Sequence, residues 1–543
     1  MYIPGKIKYA VVFLLAIAIS DFSVAQETVF SLFKTNDAKA DQYFRDGQYK
    51  KAIELYNKHP EKQGDDDICL QLARAYHYVN DPVQADVWFK EVIGREKTLP
   101  VADMYLYAET LSTLKLYDQA IEWYSLYLKK EPSDPRTIKK IWQLRNRKYL
   151  FEDSVHYTVK SLAINSLSGE FGAVPYQDGL IFISNRKRKS FIHSTDANGE
   201  SFYKAYYSKR VTDTLHGPLT TRYDEPSQFC RELRAAFHEG PVTLYDGQNK
   251  MLYTATSSQK EKSKRVLQLY FAEQQDGKWR IMEPFPFNST EYSIQDAAMS
   301  KDEKILYFSS DMKGGMGKRD LYRSTRVNNQ WTKPVNLGEA INTSGDESLP
   351  FIDENNTLYF SSNGHAGLGG IDIFKAPVMA NGFGEVTNIG YPVNTNFDDF
   401  GIYLEDDGTH GFFTSNRQNR NDDIYELDID LQSYPLVVKG VLKYKEESWK
   451  DSTELKIFSH AQLYLIDNFK NASVSTTSSN DTGTFSLTVP YSSQYRIKVV
   501  DTRTGDEMFV GLELSKRKVT ENIYEIVVVK NAFKGVVNPK TVK

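Results

Sequence analysis

The stretch "TLYFSSNGHAGLGGIDIF" (357–374) joins two apolar runs through four glycines that lie between Gly364 and Gly370. Such glycines suit either a phosphate cradle or a turn between two strands, where positive φ costs glycine nothing. A phosphate loop requires G-x-x-x-x-G-K-[ST] at the start of a helix. The related "GGMGKRD" (314–320) has no Ser or Thr after its Lys, and a strand pattern follows it. The stretch therefore predicts a loop between strands, with neither a phosphate nor another cofactor.

The same pattern recurs five times, at 179–190, 251–270, 305–322, 357–374 and 411–425. In each copy an acid precedes the serine position by 14 to 16 residues. These acids are Glu170, Glu239, Asp296, Glu347 and Asp399. An Asn-Ser or Asn-Thr pair comes shortly before four of the acids, at Asn165, Asn288, Asn342 and Asn394. Three markers in register predict four-stranded blades, and hence a five-bladed β-propeller over 155–432.

The ends of the repeat region predict how the ring closes. The last copy lacks a fourth strand, whereas the segment 156–166 resembles the fourth-strand segments 331–343 and 383–395. We therefore expect 156–166 to complete the fifth blade, which removes two sheet edges. The repeats resemble the WD40-like propeller repeats of exported bacterial proteins.

The five acids are expected near one end of the central channel, where neighbouring carboxylates repel one another unless something neutralises them. They could form a ligand ring for a cation or the basic end of a peptide, as in a TolB-like accessory protein. Each acid could instead accept backbone N–H groups of its own turn, and its repetition in every blade favours this second interpretation. A five-bladed glycoside hydrolase or glycan-binding protein that uses carboxylates at the channel mouth is the alternative function.

Residues 34–150 show a helical period, and three segments superimpose: 47–56, 80–89 and 115–124. Each has a small residue followed by an aromatic residue four positions later. The pattern resembles the tetratricopeptide repeat, which implies a helical solenoid with a concave face. The resemblance places Asp41, Phe44, Leu70, Arg74, His77, Tyr105 and Glu109 on that face. The face is either a peptide groove or the surface of a spacer that docks on the next domain.

The remaining segments complete the predicted domain order. Residues 435–531 alternate like strands and resemble the carboxypeptidase regulatory-like fold, a small Ig-like β-sandwich, and 532–543 are expected to be a tail. Residues 1–25 have the charged flank, apolar core and small residues of a signal peptide. No later segment is apolar enough to span a membrane. Cys69 and Cys230 fall in different predicted domains and are expected to be free, buried thiols.

Composition and domain order together predict the class of protein. The formal net charge is −4, which gives no reason to expect nucleic acid as a partner. The order of domains resembles the periplasmic OmpA-family proteins linked with type IX secretion and gliding. That resemblance implies outer-membrane association and a protein partner there. Peptidoglycan binding is not expected, because the family's OmpA-like wall-binding domain has no counterpart in this sequence. We expect a multidomain α plus all-β protein that acts as a non-enzymatic scaffold without a metal.

Overall fold

A computed structural model describes most of the chain, and the predicted signal peptide lies outside the described residues. The described residues are 36–58, 65–187, 200–213, 220–233, 235, 237–257, 266–418, 421–431, 435–446, 454–468, 470–490, 494–514, 522–530 and 534–539.

Seven α-helices precede the first strand in this part of the chain. Three of them begin at an aspartate whose carboxylate accepts a hydrogen bond from a backbone N–H of the first turn: Asp65, Asp81 and Asp134. Proline occupies the first helical position of two of these three, where its missing N–H costs nothing. The helices are α1 (Asn36–Arg45), α2 (Tyr49–Tyr56), α3 (Asp66–Tyr78), α4 (Pro82–Gly94), α5 (Val101–Thr113), α6 (Tyr117–Leu128) and α7 (Pro135–Asn146).

The prediction of a helical tetratricopeptide solenoid is wrong. Among the residues that the structure describes, strands are the larger share, with 42% in strands against 21% in helices. A solenoid needs repeats that contact only their neighbours and leave a concave face open. Here the helical segment is short and rests on propeller loops, where the Ser112 hydroxyl lies 3.5 Å from the carbonyl oxygen of Leu368. Small residues at helix crossings are also what any closely packed helix pair requires, so the spacing alone did not specify a solenoid.

Five small antiparallel sheets follow, and their inner strands contact one another in a closed ring. From the inner strand outward, the first blade contains β2 (Glu170–Tyr176), β3 (Gly179–Ser184), β4 (Lys204–Asp213), β5 (Thr220–Tyr223) and β6 (Ser227–Gln228), and the second contains β7 (Glu239–Tyr245), β8 (Lys250–Thr256), β9 (Leu267–Gln275) and β10 (Lys278–Pro284). The third blade contains β11 (Ile294–Met299), β12 (Ile305–Ser310), β13 (Asp320–Val327), β14 (Gln330–Trp331) and β15 (Val335–Asn336), and the fourth contains β16 (Glu347–Ile352), β17 (Thr357–Ser362), β18 (Asp372–Met379), β19 (Gly382–Phe383) and β20 (Thr387–Asn388). The fifth blade contains β21 (Asp399–Leu404), β22 (His410–Ser415) and β23 (Asp423–Ile429). This ring of five sheets confirms the prediction of a propeller.

The outer strand of the last blade comes from the start of the repeat region, as predicted. Strand β1 (Tyr157–Ser161) pairs antiparallel with β23, with Tyr157 opposite Ile429 and Ser161 opposite Tyr425. The first and last segments of the propeller thereby share one sheet, so the ring cannot open without breaking this ladder.

The Asn marker has a structural role in four blades. The Asn342 side chain accepts a hydrogen bond from the Leu321 N–H at 2.8 Å and donates one to the Leu321 carbonyl at 2.9 Å. The side chain thus acts as one extra strand residue against the third strand of its blade. The other three markers make the same pair of bonds: Asn394 with Ile373, Asn165 with Ile424, and Asn288 with Leu269.

The glycine-rich stretch is the loop between β17 and β18, as predicted, but the reason for its glycines differs from the one expected. None of its four glycines has positive φ. A Cβ at Gly367 would collide with the carboxylate of Asp372, and one at Gly369 with the carbonyl oxygen of Phe397. The glycines are therefore needed because neighbouring side-chain and backbone atoms approach the loop backbone too closely to leave room for a Cβ atom.

The last region forms two sheets that pack face to face around a shared core including Val438, Leu465 and Ile497. Residues 534–539, which were expected to lie in a tail, form a strand that pairs antiparallel with the strand at 522–530. No helix among the described residues has the length and hydropathy to cross a bilayer. One sheet contains β24 (Leu436–Glu446), β25 (Lys456–Ile457), β28 (Thr484–Val489), β31 (Asn522–Lys530) and β32 (Lys534–Pro539), and the other β26 (Gln462–Asp467), β27 (Ala472–Ser478), β29 (Tyr495–Val500) and β30 (Glu507–Leu512).

Candidate functional site

Each inner strand of the propeller carries a β-bulge at the same place, where its register against the second strand shifts. A bulge adds one residue and turns the strand locally. Four of the five residues at this position have φ between +50° and +65°. We call these five residues the bulge ring: Gly172, Pro241, Asp296, Leu349 and Gly401. All five line the central channel.

The bulge ring connects neighbouring blades. The Gly401 N–H donates to the Ser361 hydroxyl at 3.1 Å, and the Asp296 N–H donates to the Thr254 hydroxyl at 3.2 Å, in both cases across a blade boundary. At the boundary between the first and second blades, both the hydroxyl acceptor and the N–H donor are absent, because Ile183 has no hydroxyl and Pro241 has no N–H. The boundary therefore leaves no polar group unpaired at this position.

Four of the five predicted acids occupy one equivalent position, the first residue of an inner strand. Glu170 accepts hydrogen bonds from the Ser166 hydroxyl at 2.7 Å, the Ser184 hydroxyl at 2.8 Å and the Ser166 N–H at 3.0 Å. Glu347 repeats this arrangement with Thr343 and Ser362. Each carboxylate therefore joins the start of its strand to the preceding loop and to the end of the second strand.

Three of the four carboxylates also pair with a cation, and Glu170 does so with Arg186 at 3.0 Å. Asp399 accepts hydrogen bonds from Thr395 and from Arg417 at 2.5 Å, and Glu239 accepts one from the buried Lys204 at 2.9 Å. Burial raises the pKa of Asp399 above its ordinary value, although the Arg417 guanidinium opposes the shift. Burial likewise raises the pKa of Glu347. These four carboxylates are structural groups with satisfied oxygens.

Asp296 does not belong to that group. In its blade Ile294 faces Ser310 at the start of the inner strand, as Glu347 faces Ser362. Asp296 lies two residues later, in the bulge ring. The sequence held a signal of this difference, because Ser289 precedes Asp296 by seven residues whereas Thr343 precedes Glu347 by four. The spacing from acid to serine did not reveal this difference, because it is as regular for Asp296 as for the other acids. The bulge ring itself was not predicted.

The channel has a volume of about 690 Å³ and runs from the bulge ring to the turns after the inner strands. Apolar residues such as Pro175, Val242 and Pro350 line its wall. At the far end, which we call the rim, the turns carry acids. The rim acids are Asp246, Glu303, Asp353, Glu354 and Asp406. The cavity lies in the size range of small-molecule and peptide sites.

The residues predicted for a peptide groove lie on the helices, and each of them contacts another residue of the helical region. Arg74 donates to Asp103 at 2.6 Å, and Lys140 donates to Glu109 at 2.9 Å. The Nδ1 atom of His77 lies 3.0 Å from the Thr110 hydroxyl, and burial lowers the pKa of this histidine. The other predicted members also have partners: Tyr105 with Arg136, Phe44 with Tyr49, Asp41 with Tyr56, and Leu70 with the helical core.

The helices contact the end of the propeller at which the inner strands begin. The Tyr391 N–H donates to the Leu150 carbonyl at 2.8 Å, and the Asn396 amide donates to the Thr113 carbonyl. Lys50 on α2 pairs with Glu200 of the first blade at 2.8 Å. The rim is formed by the turns at the opposite end of the inner strands.

Metal and thiol chemistry have no assembled site among the described residues. No group of three or more His, Cys, Asp or Glu side chains there could hold a metal ion. Cys69 is buried and Cys230 is half-buried, and neither forms a disulfide. Burial raises the pKa of Cys230 to about 11, which suppresses the reactive thiolate.

No protein-family model and no curated protein matches the chain. Solved structures resemble it at low TM-scores. An exo-β-1,3-galactanase from Clostridium thermocellum gives a TM-score of 0.31 at 12% identity, over 64% of this chain and 83% of that chain. An α-L-arabinofuranosidase from Lactobacillus brevis gives 0.31 at 12%, over 50% and 94%. A Dyadobacter fermentans protein of unknown function gives 0.31 at 12%, over 47% and 75%. Likeness at this level carries no argument about function.

Proposed function

We propose that this chain is a non-catalytic binding protein whose ligand enters the propeller channel through the rim. The observation that carries the proposal is the contrast between the two ends of the inner strands. At one end four carboxylates are bonded into their own turns and helices lie against the loops. At the other end an apolar-walled channel of about 690 Å³ reaches the turns that form the rim.

The state of the four equivalent carboxylates supports binding rather than hydrolysis. A glycosidase needs one carboxyl group that gives a proton and another that attacks or activates water, both directed at the substrate. Glu170 and Glu347 instead direct both oxygens at hydroxyl and N–H donors of their own blade. Asp399 is held by Arg417 and Thr395. Groups committed in this way are poor candidates for acid–base chemistry.

The proposed setting is the periplasm, with a protein partner at the outer membrane. Support comes from the sequence: the charged flank at Lys6 and Lys8, the apolar core 9–19 and the small residues before Gln26 have the form of an export signal. The order of repeat segments adds the resemblance to proteins linked with type IX secretion and gliding. In this setting the chain acts as an adaptor that holds part of a secretion or motility assembly.

A glycan ligand, or glycoside hydrolysis, is the second candidate, and the composition of the channel favours it. Tyr245, Phe351 and Tyr403 line the channel together with the rim acids Asp246 and Asp406. Aromatic faces and carboxylates are groups that can contact sugar rings and hydroxyls. In this case Asp296 and the rim acids, rather than the four structural acids, would contact the sugar.

Two measurements on the purified full chain test the proposal. The first is turnover of chromogenic glycosides and polysaccharides, which we expect to be absent. Turnover that disappears when one channel carboxylate is neutralised would establish the hydrolase instead. The second is capture of partners from an envelope fraction by the wild type and by Pro175→Trp, which narrows the channel. We expect the channel variant to lose a partner that the control Met379→Trp retains, because Met379 is exposed at the end of the third strand of its blade.

A further inference from the structure

We infer that Asp296 is the point in the channel that recognises a cationic group, supplied by a lysine or arginine side chain or by the amino terminus of a polypeptide. This inference rests on the proposed function, because it names the chemistry of the ligand for the same channel.

Asp296 is the one charged member of the bulge ring, whose other members are two glycines, Pro241 and Leu349. Its φ is +53°, a left-handed conformation that is rare for residues other than glycine. Glycine occupies this position in the first and last blades without that cost, which is about 1–2 kcal/mol for an L-residue. Leu349 shares this conformation at φ +50°, so the bulge imposes it, and it is the charge of Asp296 that distinguishes this residue from the other members.

The carboxylate of Asp296 has no cationic partner in the part of the chain that the structure describes. The residue is only 7% exposed. Its Oδ2 atom accepts hydrogen bonds from the Gln295 amide at 2.8 Å and the Ser309 hydroxyl at 2.9 Å, both neutral donors. Both bonds end on Oδ2, and no described residue donates a hydrogen bond to Oδ1. A buried carboxylate without a counter-charge is costly, and a cation that enters the channel would relieve that cost. Of the four structural acids, by contrast, Glu170, Glu239 and Asp399 pair with a cation. Glu347 has neutral donors only, but they occupy both of its oxygens.

The rest of the channel fits an organic cation better than a metal ion. Six carboxylates line it against one amine, Lys301, which is itself paired with Glu354. Lys250, beside the rim, pairs with Asp246 and Glu303, so the negative charge that remains lies on the other acids. This charge attracts cations to the rim. Strands rise about 3.3 Å per residue, which places Asp296 about 15 Å from the turn at Lys301. Prolines and apolar side chains line the wall between them, and they suit an extended peptide or alkyl chain. A metal ion would need further oxygen or nitrogen ligands, and no group of three metal-binding side chains exists among the described residues.

The test uses calorimetric titration of the full chain with two capped pentapeptides, one with a central lysine between alanines and one with norleucine in its place. We expect the lysine peptide to bind the wild type at least tenfold more tightly than the norleucine peptide. Asp296→Asn should abolish that difference, because asparagine tolerates the left-handed conformation and can keep the bonds to Gln295 and Ser309. If that variant folds poorly, Asp296→Gly serves instead, since two blades carry glycine there.

The rim variant Asp406→Asn is the matched control, because it removes the same charge without changing the bulge ring. We expect it to keep most of the preference for lysine. Equal loss in both variants would indicate general attraction to the rim and would overturn the inference. Equal binding of the two peptides to the wild type, or the absence of binding, would also overturn it. A neutral glycan that binds the wild type but not Pro175→Trp would overturn the inference and leave the proposed binding function standing.

Discussion

The hydroxyl oxygen of Thr414 in the last blade accepts a hydrogen bond from the backbone nitrogen of Gly172 in the first blade, at 3.4 Å. This contact crosses the boundary at which the ring closes. Its counterparts between Thr254 and Asp296 and between Ser361 and Gly401 show that the closing boundary is built like the internal ones. The propeller is therefore a continuous ring.

Removal of this hydroxyl should weaken the ring. Thr414→Val leaves the Gly172 N–H without its partner, and we expect the free energy of unfolding to fall by about 1 kcal/mol. Chemical denaturation of the full chain measures the change. Thr387→Val on an exposed outer strand is the control and should stay within about 0.5 kcal/mol of wild type. Equal effects of the two substitutions would contradict a role for Thr414 in closure.

The strand β1 should also contribute to closure. The Leu162 N–H donates to the Ile424 carbonyl, so by alternation the Lys160 N–H also points at β23. Lys160→Pro removes this donor, and we expect destabilisation of at least about 1 kcal/mol. Lys160→Ala keeps the donor and should be nearly neutral, because the side chain is exposed. Thermal unfolding distinguishes the two, and an unaffected proline variant would show that β1 does not hold the ring.

Crowding at the glycine-rich loop gives a third prediction. Gly367→Ala places a methyl group against the Asp372 carboxylate and should cost about 1–3 kcal/mol, because the loop must shift. Gly511→Ala is the control, since no atom lies within 4 Å of the added methyl group. Comparable melting temperatures for the two variants would mean that the loop tolerates a side chain and that its glycines serve another purpose.

Burial, reinforced by the carboxylates of Asp398, Asp423 and Glu170, raises the pKa of Asp422 from 3.8 to about 7. The folded chain therefore holds this proton at pH values where the unfolded chain has lost it. The contribution of Asp422 to the free energy of unfolding therefore falls as the pH rises from about 4 to about 7. We expect Asp422→Asn to be more stable than wild type at pH 8, by about 2 kcal/mol, and equally stable at pH 4. Asp276→Asn, at a side chain that is 96% exposed, should match wild type at both pH values. A stabilisation that is the same at pH 4 and pH 8 would exclude this titration as its cause.

The parts of the fold that depend on repetition could be predicted from the sequence. Serine, acid and asparagine recur in register because each blade uses them for the same bonds, as the Asn342 bridge to Leu321 illustrates. Closure by β1 followed from the missing fourth strand. The helical architecture could not be predicted, because small and aromatic residues at a regular spacing describe helix packing and not what the helices rest on.

The candidate site was less predictable. The presence of an Asp or Glu in the sequence does not indicate whether its carboxylate will hydrogen-bond to its own turn or remain without a cationic partner. Glu347 and Asp296 therefore appeared equivalent until the bulge placed them at different positions. The channel is built from five distant inner strands, so its size and wall composition depend on the closed ring. The local spacing from Ser289 to Asp296 was the one sequence signal of the difference.

The most direct test of the binding function is photo-crosslinking from the rim. A photoreactive amino acid would replace Asp406, in cells that naturally produce the chain, and adducts would be identified by mass spectrometry. Met379, at the end of the third strand of another blade and 59% exposed, is the control position. We expect one dominant adduct from Asp406 that is lost in the Pro175→Trp background. Adducts from Met379 alone, or an Asp406 adduct that persists after the channel is narrowed, would contradict the binding function.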